Sequence, residues 1–413
     1  MKIIYSIIIF LYLFSIRIAS FINSKAKLWV DGRKKIFQNL NSEFLSSNIS
    51  PNDKLIWFHC ASLGEFEQGR PLMEKIKLNY PNFKIILTFF SPSGYEIRKN
   101  YFGADYVFYL PMDTSKNAKK FIAIVKPQIA IFVKYEFWFN YLSELRKQNI
   151  PTYLICGVFR RDQYFFNFYG TWFLKQLKSF THFFLQDDSS KELISSFGFN
   201  NATSDGDTRF DRVCEISKNA KEINIVKTFV SDKKIIVAGS TWDLDEKIIS
   251  GFKFQNSEFK LIIAPHEVDE KNIYSITKRF EGASIVRFSE ASLKNLLSAD
   301  ILIIDNIGML SSLYKYASIA YVGGGFGKGI HNILEAAAFG LPIIIGPNYH
   351  KFIEAKELIQ LGGLFSINSE IEFKNIIAFL NNTDTRLTAS EISNKYIFER
   401  VGATDKIYNS IFN

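Results

Sequence analysis

The sequence predicts an α/β protein built of two doubly wound domains facing across a cleft, carried behind an apolar amino-terminal helix. Three observations lead there. At 413 residues the chain exceeds one ordinary core. Short apolar runs alternate with longer mixed segments in two separate series, the pattern of parallel sheets covered on both faces. The first 22 residues form an almost unbroken apolar stretch. Residues 1–24 are therefore assigned to an anchor, 25–214 to a first domain and 215–413 to a second, whose last helix is expected to return to the first.

The apolar run Ile3–Ile16 would make a helix of about 21 Å, short of the roughly 30 Å hydrocarbon core. Continuing through Ile18–Ile22, with Arg17 snorkelling, would just reach. An uncleaved anchor or in-plane helix, a signal peptide and an amphipathic docking helix all stand as readings, though no A-x-A cleavage site is evident. Residues 1–35 carry seven basic side chains against Asp31 alone, +6 of the chain's +9. A nucleic-acid binder would show its excess on the folded domain, so an anionic membrane surface is the expected partner and nucleic acid is not. Cys60, Cys156 and Cys214 show neither CxxC spacing nor a metal-ligand pattern with His, as in a reducing compartment.

In the first domain, strands are expected at 55–60, 84–89, 106–110, 129–133, 152–155 and 182–185. Ligands of such sheets bind beyond the strand C-terminal ends, so those loops are read for chemistry. After the first strand comes His59-Cys60-Ala61-Ser62-Leu63-Gly64-Glu65. Ser62-x-x-Glu65 reads as a capping box; equally, Glu65 reads as a general base kept ionised by the helix dipole. Ser91-Pro92-Ser93-Gly94 is either a plain N-cap turn or a seat for an acceptor phosphate. Lys134 and Glu136 could form a solvated ion pair or orient an acidic sugar. The adjacent Arg160 and Arg161 suit a phosphate or carboxylate. The aromatic stretch 163–173 suits either a core helix or a lipid-facing surface.

A polar connector is expected over 215–226, then strands at 234–239, 260–264, 284–287, 301–304, 319–322 and 342–345. The segment from Val322 to Pro347 reads strand, glycine loop, helix, turn, strand. Its loop offers backbone N–H groups for a phosphate. Glu335, expected one turn inside the helix and three residues after Asn332, could accept hydrogen bonds from ribose hydroxyls; packing alone also explains such a loop. It is not a P-loop, because Val322 stands where the first glycine belongs and Gly329 where Ser or Thr belongs. Nor does it follow the first strand of a domain, as a dinucleotide fingerprint would. No DxD-type carboxylate pair is placed for a metal, and no cofactor is expected.

Taken in order, HCASLGE (59–65), SPSG (91–94), YLPMD (109–113), KYEFWFN (134–140), DGDTRFDRV (205–213), GST (239–241), PHE (265–267), DNIGML (305–310) and the stretch 321–355 resemble the 3-deoxy-D-manno-octulosonic acid (Kdo) transferases of lipopolysaccharide assembly. The likeness spans nearly all of the chain past residue 50. It implies the GT-B arrangement of two Rossmann-like domains and inverting transfer of Kdo from CMP-Kdo to a lipid A precursor, on the cytoplasmic face of the inner membrane. By resemblance Glu65 is the catalytic base and Glu136 a second important acidic position, both counted as catalytic. Ser240, Thr241, His266, Ile307, Gly308, Met309, Gly325, His331, Asn332 and Glu335 would meet the donor. Ser91, Ser93, Gly94, Lys134, Arg160, Arg161 and Arg209 would meet the acceptor. The chain departs from the family at Lys134, where an acid is usual, at Phe139 for a proline and at Met309 for a glutamate. Pro265-His266-Glu267 replaces Pro-Arg-His, leaving His266 or Arg209 to serve the donor phosphate. A UDP-sugar enzyme of the same fold, transferase or epimerase, is the rival reading, followed by a membrane-docked binding protein without turnover.

Overall fold

The computed structural model describes residues 1–46, 54–167, 170–254 and 257–412. They form two compact units, one of Met1–Asp211 with Gly402–Asn413 and one of Arg212–Val401. In the first unit the strands are β1 (Lys54–Cys60), β2 (Phe83–Phe89), β3 (Tyr106–Tyr109), β4 (Ile129–Val133), β5 (Thr152–Gly157), β6 (His182–Leu185) and β7 (Ala202–Ser204). All pair in parallel, in the order β3-β2-β1-β4-β5-β6-β7. The second unit has β8 (Lys234–Thr241), β9 (Phe259–Pro265), β10 (Ile285–Arg287), β11 (Ile301–Ile303), β12 (Ile319–Val322), β13 (Ile343–Ile345) and β14 (Leu364–Ser366), in the order β10-β11-β9-β8-β12-β13-β14. Six strands were expected in each sheet and seven are present. The additions, β7 (Ala-Thr-Ser) and β14 (Leu-Phe-Ser), are three-residue edge strands whose sequences contain no continuous apolar run to mark them.

The alternation of side chains along β1 divides the first core. Leu55 and Trp57 pack on one sheet face with Phe132 and Tyr141, whereas Ile56, Phe58 and Cys60 pack on the other with Ile131 and Val133. His59 continues the Leu55–Trp57 row, so a polar ring is carried into an apolar layer.

The amino terminus folds onto this unit as α1 (Lys2–Ala19), α2 (Ser24–Asp31) and α3 (Ile36–Ser46). Among the described residues α1 is the one helix long and apolar enough to cross a membrane. Tyr5 and Ile9 are buried against the domain, while Ile3, Ile7, Phe10, Phe14 and Ile18 remain exposed. Arg33, counted with the basic cluster, turns inward. Its guanidinium lies 3.9 Å from the Trp29 ring centroid and donates to the carbonyls of Phe90 (2.7 Å) and Leu110 (2.9 Å). Burial pulls it down to about 9.

The expected polar connector is largely helical: Thr208–Lys218 and Asn224–Val230 flank a short loop, and the passage between units falls inside the first of these helices. The return is marked by Asp211, whose carboxylate accepts from the backbone of Gly402 (2.5 Å) and Thr404 (2.7 Å) and from the Thr404 hydroxyl (2.6 Å). The final helix, Ala403–Phe412, then packs Tyr408 and Phe412 on Tyr80 at the end of α4 (Leu63–Asn79).

Candidate active site

In the first sheet the strand order reverses between β1 and β4, and in the second between β8 and β12. Doubly wound sheets bind ligands at the loops after such strands. The first pair of loops carries Glu65 and Glu136. The second carries Ser240–Trp242 and the glycine loop 323–331. A cavity of about 500 Å³ lined by Lys54, Tyr80, Phe83 and Phe412 lies at the opposite strand ends, away from these groups.

Glu65 does reach back over the start of α4. Its Oε2 accepts from Ala61 N (2.5 Å) and Ser62 N (3.1 Å), so the capping role is real. The expectation that the helix end keeps it ionised fails. Burial first and the nearby Glu136 second push its carboxyl up to about 8; the two N–H bonds and Lys134 only partly oppose this. Such a group is mostly protonated at pH 7 and becomes available as a base as the pH rises through about 8.

Glu136 is 7 % exposed and sits in a buried polar cluster. Its Oε2 lies 3.0 Å from His59 Nε2 and 2.5 Å from Trp138 Nε1. His59 Nδ1 faces Thr88 at its carbonyl (3.1 Å) and hydroxyl (2.8 Å). That hydroxyl already donates to the Phe58 carbonyl and accepts from Trp57 Nε1. His59 Nε2 also lies 2.9 Å from Trp138 Nε1, so the indole N–H is shared between the histidine and the Glu136 carboxylate. Neither His59 nor Trp138 was singled out from the sequence. A lone histidine in a strand otherwise free of polar side chains past Lys54 was the available signal.

Of the expected acceptor groups, the structure gathers Lys134 and Arg160. Both cations lie 5.5 Å from the Tyr135 ring centroid, and Lys134 holds a positive φ of 67° where the chain leaves β4. The two arginines part company: Arg161 stacks over Phe197 instead, so they do not form one anion clamp. Arg209 is paired with the buried Asp207 at 2.8 Å. Ser91 caps its helix, accepting from Ser93 N at 3.2 Å, and the two hydroxyls bond each other at 2.9 Å. Gly94 donates its N–H to Ser91 O and lies flat on Phe89, whose ring a Cβ would approach to 2.3 Å. That glycine serves packing and offers no N–H to a ligand. Within the aromatic stretch, Phe165 is buried and Trp172 packs on Tyr5 and Phe139; Phe168 and Tyr169 lie outside the described residues.

In the second unit, Ser240 is the extra residue of a bulge between β8 and β9, at φ 52°. Thr241 is buried and donates to Glu246 (3.0 Å), which withdraws its hydroxyl from any ligand. The bulge aims Trp242 at two histidines. Trp242 stacks on His266 (4.4 Å between centroids), His266 on His331 (4.8 Å), and Trp242 Nε1 donates to His331 Nε2 (3.0 Å). Burial, with His266 second, pulls His331 below the usual histidine range, so it serves as a neutral acceptor. The glycine loop is tied down by Asp245, which accepts from Gly324 N (2.9 Å), Tyr321 OH (2.7 Å) and Trp242 N (3.0 Å). Gly325 passes so close to Gly346 that a Cβ would sit 2.6 Å from its nitrogen. Both Asp245 and Trp242 were missed from the sequence.

The helix after the loop is shorter than expected, Leu334–Ala338, and Glu335 is its second residue rather than a turn inside. Asn332 accepts from Leu334 N and donates to Glu335 Oε1, both at 3.1 Å. The 305–310 turn exposes Ile307, puts Gly308 at φ 100° and makes Met309 the N-cap of a four-residue helix. It joins the group through Tyr314, whose hydroxyl lies under Gly239 and feels the Glu335 charge. Among the described residues no cluster of three or more His, Cys, Asp or Glu could hold a metal ion.

A family described as 3-Deoxy-D-manno-octulosonic-acid transferase (kdotransferase) matches residues 35–212. The 3-deoxy-D-manno-octulosonic acid transferase of Aquifex aeolicus is 28 % identical over 365 residues, covering 86 % of this chain and 94 % of that one. Its namesake from Haemophilus influenzae is 26 % identical, with 88 % of each covered. Among solved structures, UDP-GlcNAc 2-epimerase from Neisseria meningitidis bound to UDP-GlcNAc superposes with a TM-score of 0.59 at 15 % identity, over 87 % of this chain and 99 % of that one, a likeness of fold alone. With two doubly wound units and relatives that match most of its length, the chain is similar to the 3-deoxy-D-manno-octulosonic acid transferases from residue 35 onward and shares its two-unit fold with the solved structures.

Proposed function

We propose that this enzyme transfers Kdo from CMP-Kdo to a lipid A precursor with inversion at the anomeric carbon. The observation that carries the reading is Glu65, pushed up to about 8 beside Glu136 and within the field of Lys134. In this reading Glu65 takes the proton of the acceptor hydroxyl. The hydroxyl oxygen forms the new bond to the anomeric carbon. The bond from that carbon to the CMP phosphate breaks, and its electron pair leaves with CMP. Lys134 and Arg160 hold an acidic group of the acceptor. In the second unit, backbone N–H groups of the glycine loop, with Ser240 and His266, receive the leaving phosphate, and Glu335 accepts from ribose hydroxyls. Nothing in this scheme needs a metal or another cofactor.

The exposed apolar face of α1, with Lys25, Lys27, Lys34 and Lys35 beyond it, supports seating on an anionic bilayer. At about 1.5 Å per residue its 18 residues span about 27 Å, and two of them are buried in the domain, so an in-plane seat fits better than a crossing. We place the enzyme at the cytoplasmic face of the inner membrane. The test is purified full-length protein with CMP-Kdo and a tetraacylated disaccharide acceptor. Product mass should rise by one or more Kdo residues with release of CMP. Turnover of a UDP-sugar in place of CMP-Kdo would overturn the reading.

A further inference from the structure

The lipid-facing side of α1 has a counterpart on its inner side. Tyr5 donates its hydroxyl to Asp113 Oδ2 at 2.5 Å, in a buried contact spanning more than a hundred residues of sequence. The same carboxylate accepts from the backbone N–H groups of Asn140 and Tyr141, each at 3.1 Å, and the Asn140 amide donates to Asp113 O at 2.8 Å. Those N–H groups open the helix Phe139–Lys147, which begins where the Glu136 loop ends. The Tyr5 ring also meets Phe139 edge-on at 5.1 Å.

A second line of contacts reaches the loop from its other side. Tyr12 of α1 and Trp29 of α2 enclose Phe90, at 6.0 and 5.6 Å. Phe90 packs on Trp138 at 4.6 Å, and Trp138 donates to Glu136. Residues 136–139 are thus gripped at both ends by the amino-terminal helices. A simple tether needs no buried hydroxyl on a carboxylate beneath a catalytic loop. Burial pushes Asp113 up to about 6, and the bonds from Tyr5, Asn140 and Tyr141 resist that rise. Without the tyrosine hydroxyl the carboxylate is less well solvated and holds the two N–H groups less firmly.

We infer that Tyr5 is a positioning residue for transfer: through Asp113 it fixes the start of the helix after Glu136, making α1 part of the catalytic architecture as well as the lipid contact. The inference rests on the transfer reading above. Its test is a double-mutant cycle on the full-length enzyme in anionic vesicles, with Tyr5→Phe, Glu136→Gln and the double variant. Tyr5→Phe should lower kcat about tenfold, as expected for a displaced reactive group, with vesicle binding and acceptor KM unchanged. In the Glu136→Gln background the same substitution should change kcat by less than about twofold, because the group it positions is already gone. Should Tyr5→Phe fail to fold, Asp113→Asn enters the same cycle. Additive effects, or an unchanged kcat in Tyr5→Phe, would overturn the inference. A wild-type enzyme without transfer would overturn the function reading itself, and this inference with it.

Discussion

The Glu65–Glu136 pair sets a pH dependence that can be worked out before any assay. With its carboxyl at about 8, Glu65 is about one-tenth ionised at pH 7 and about nine-tenths at pH 9. If the ionised form is the base, kcat/KM rises about tenfold between those values and about tenfold per unit below pH 7. The sign follows from both causes, since burial and a neighbouring negative charge each disfavour the carboxylate. Replacing Glu136 by Gln removes the second cause and leaves the first. The midpoint therefore moves to lower pH yet stays above an ordinary glutamate. The absolute rate is expected to fall, so each profile is normalised to its own plateau. The assay is initial rate against pH at subsaturating acceptor, with ¹³C NMR titration of the Glu65 carboxyl as an independent readout. A wild-type profile flat from pH 6 to 9, or a midpoint unmoved by Glu136→Gln, would refute the coupling of the two carboxylates.

Gly325→Ala forces a Cβ to within 2.6 Å of the Gly346 backbone nitrogen, which cannot yield as a side-chain end could. We expect about 1–3 kcal/mol of lost stability in denaturant melts and weaker nucleotide binding by calorimetry. Asp245→Asn exchanges one acceptor oxygen for a donor that faces N–H and O–H groups. Donor affinity should drop about tenfold while acceptor KM stays constant. Arg160→Ala should raise acceptor KM about tenfold, whereas Arg161→Ala, stacked on Phe197, should leave it within about twofold; steady-state kinetics separates them. Glu65→Gln should abolish transfer by a factor of about 10² or more with CMP binding intact in a titration.

How much of this was written in the sequence depends on the range of the interaction. The interior strands were legible because each carries a continuous apolar run, even where short (Ile-Leu-Ile in β11, Ile-Ile-Ile in β13); β7 (Ala-Thr-Ser) and β14 (Leu-Phe-Ser) are partly polar and sit at edges. The loops after β1 and β12 could be located because strand ends and glycines mark them locally. The protonation of Glu65 could not, since it arises first from burial and then from Glu136, in a loop 71 residues on, brought close only by the pairing of β1 with β4. Arg160 and Arg161 looked alike as neighbours in sequence, and only the backbone geometry sends one to Tyr135 and the other to Phe197. The role of Trp242 was hidden for a similar reason. A bulge at Ser240, itself not a glycine, re-aims the chain towards the two histidines.

The Asp211 clamp and the helix beyond it have a consequence for how the molecule is made. Residues 402–412 seal the Tyr80 side of a unit whose other members were all synthesised before the intervening 190 residues. On the ribosome the contiguous second unit can complete itself first, while the earlier-emerging one waits with an apolar flank uncovered. A recombinant fragment ending at residue 211 would inherit that raw flank permanently, and grafting 402–412 onto its end through a short linker should restore its solubility.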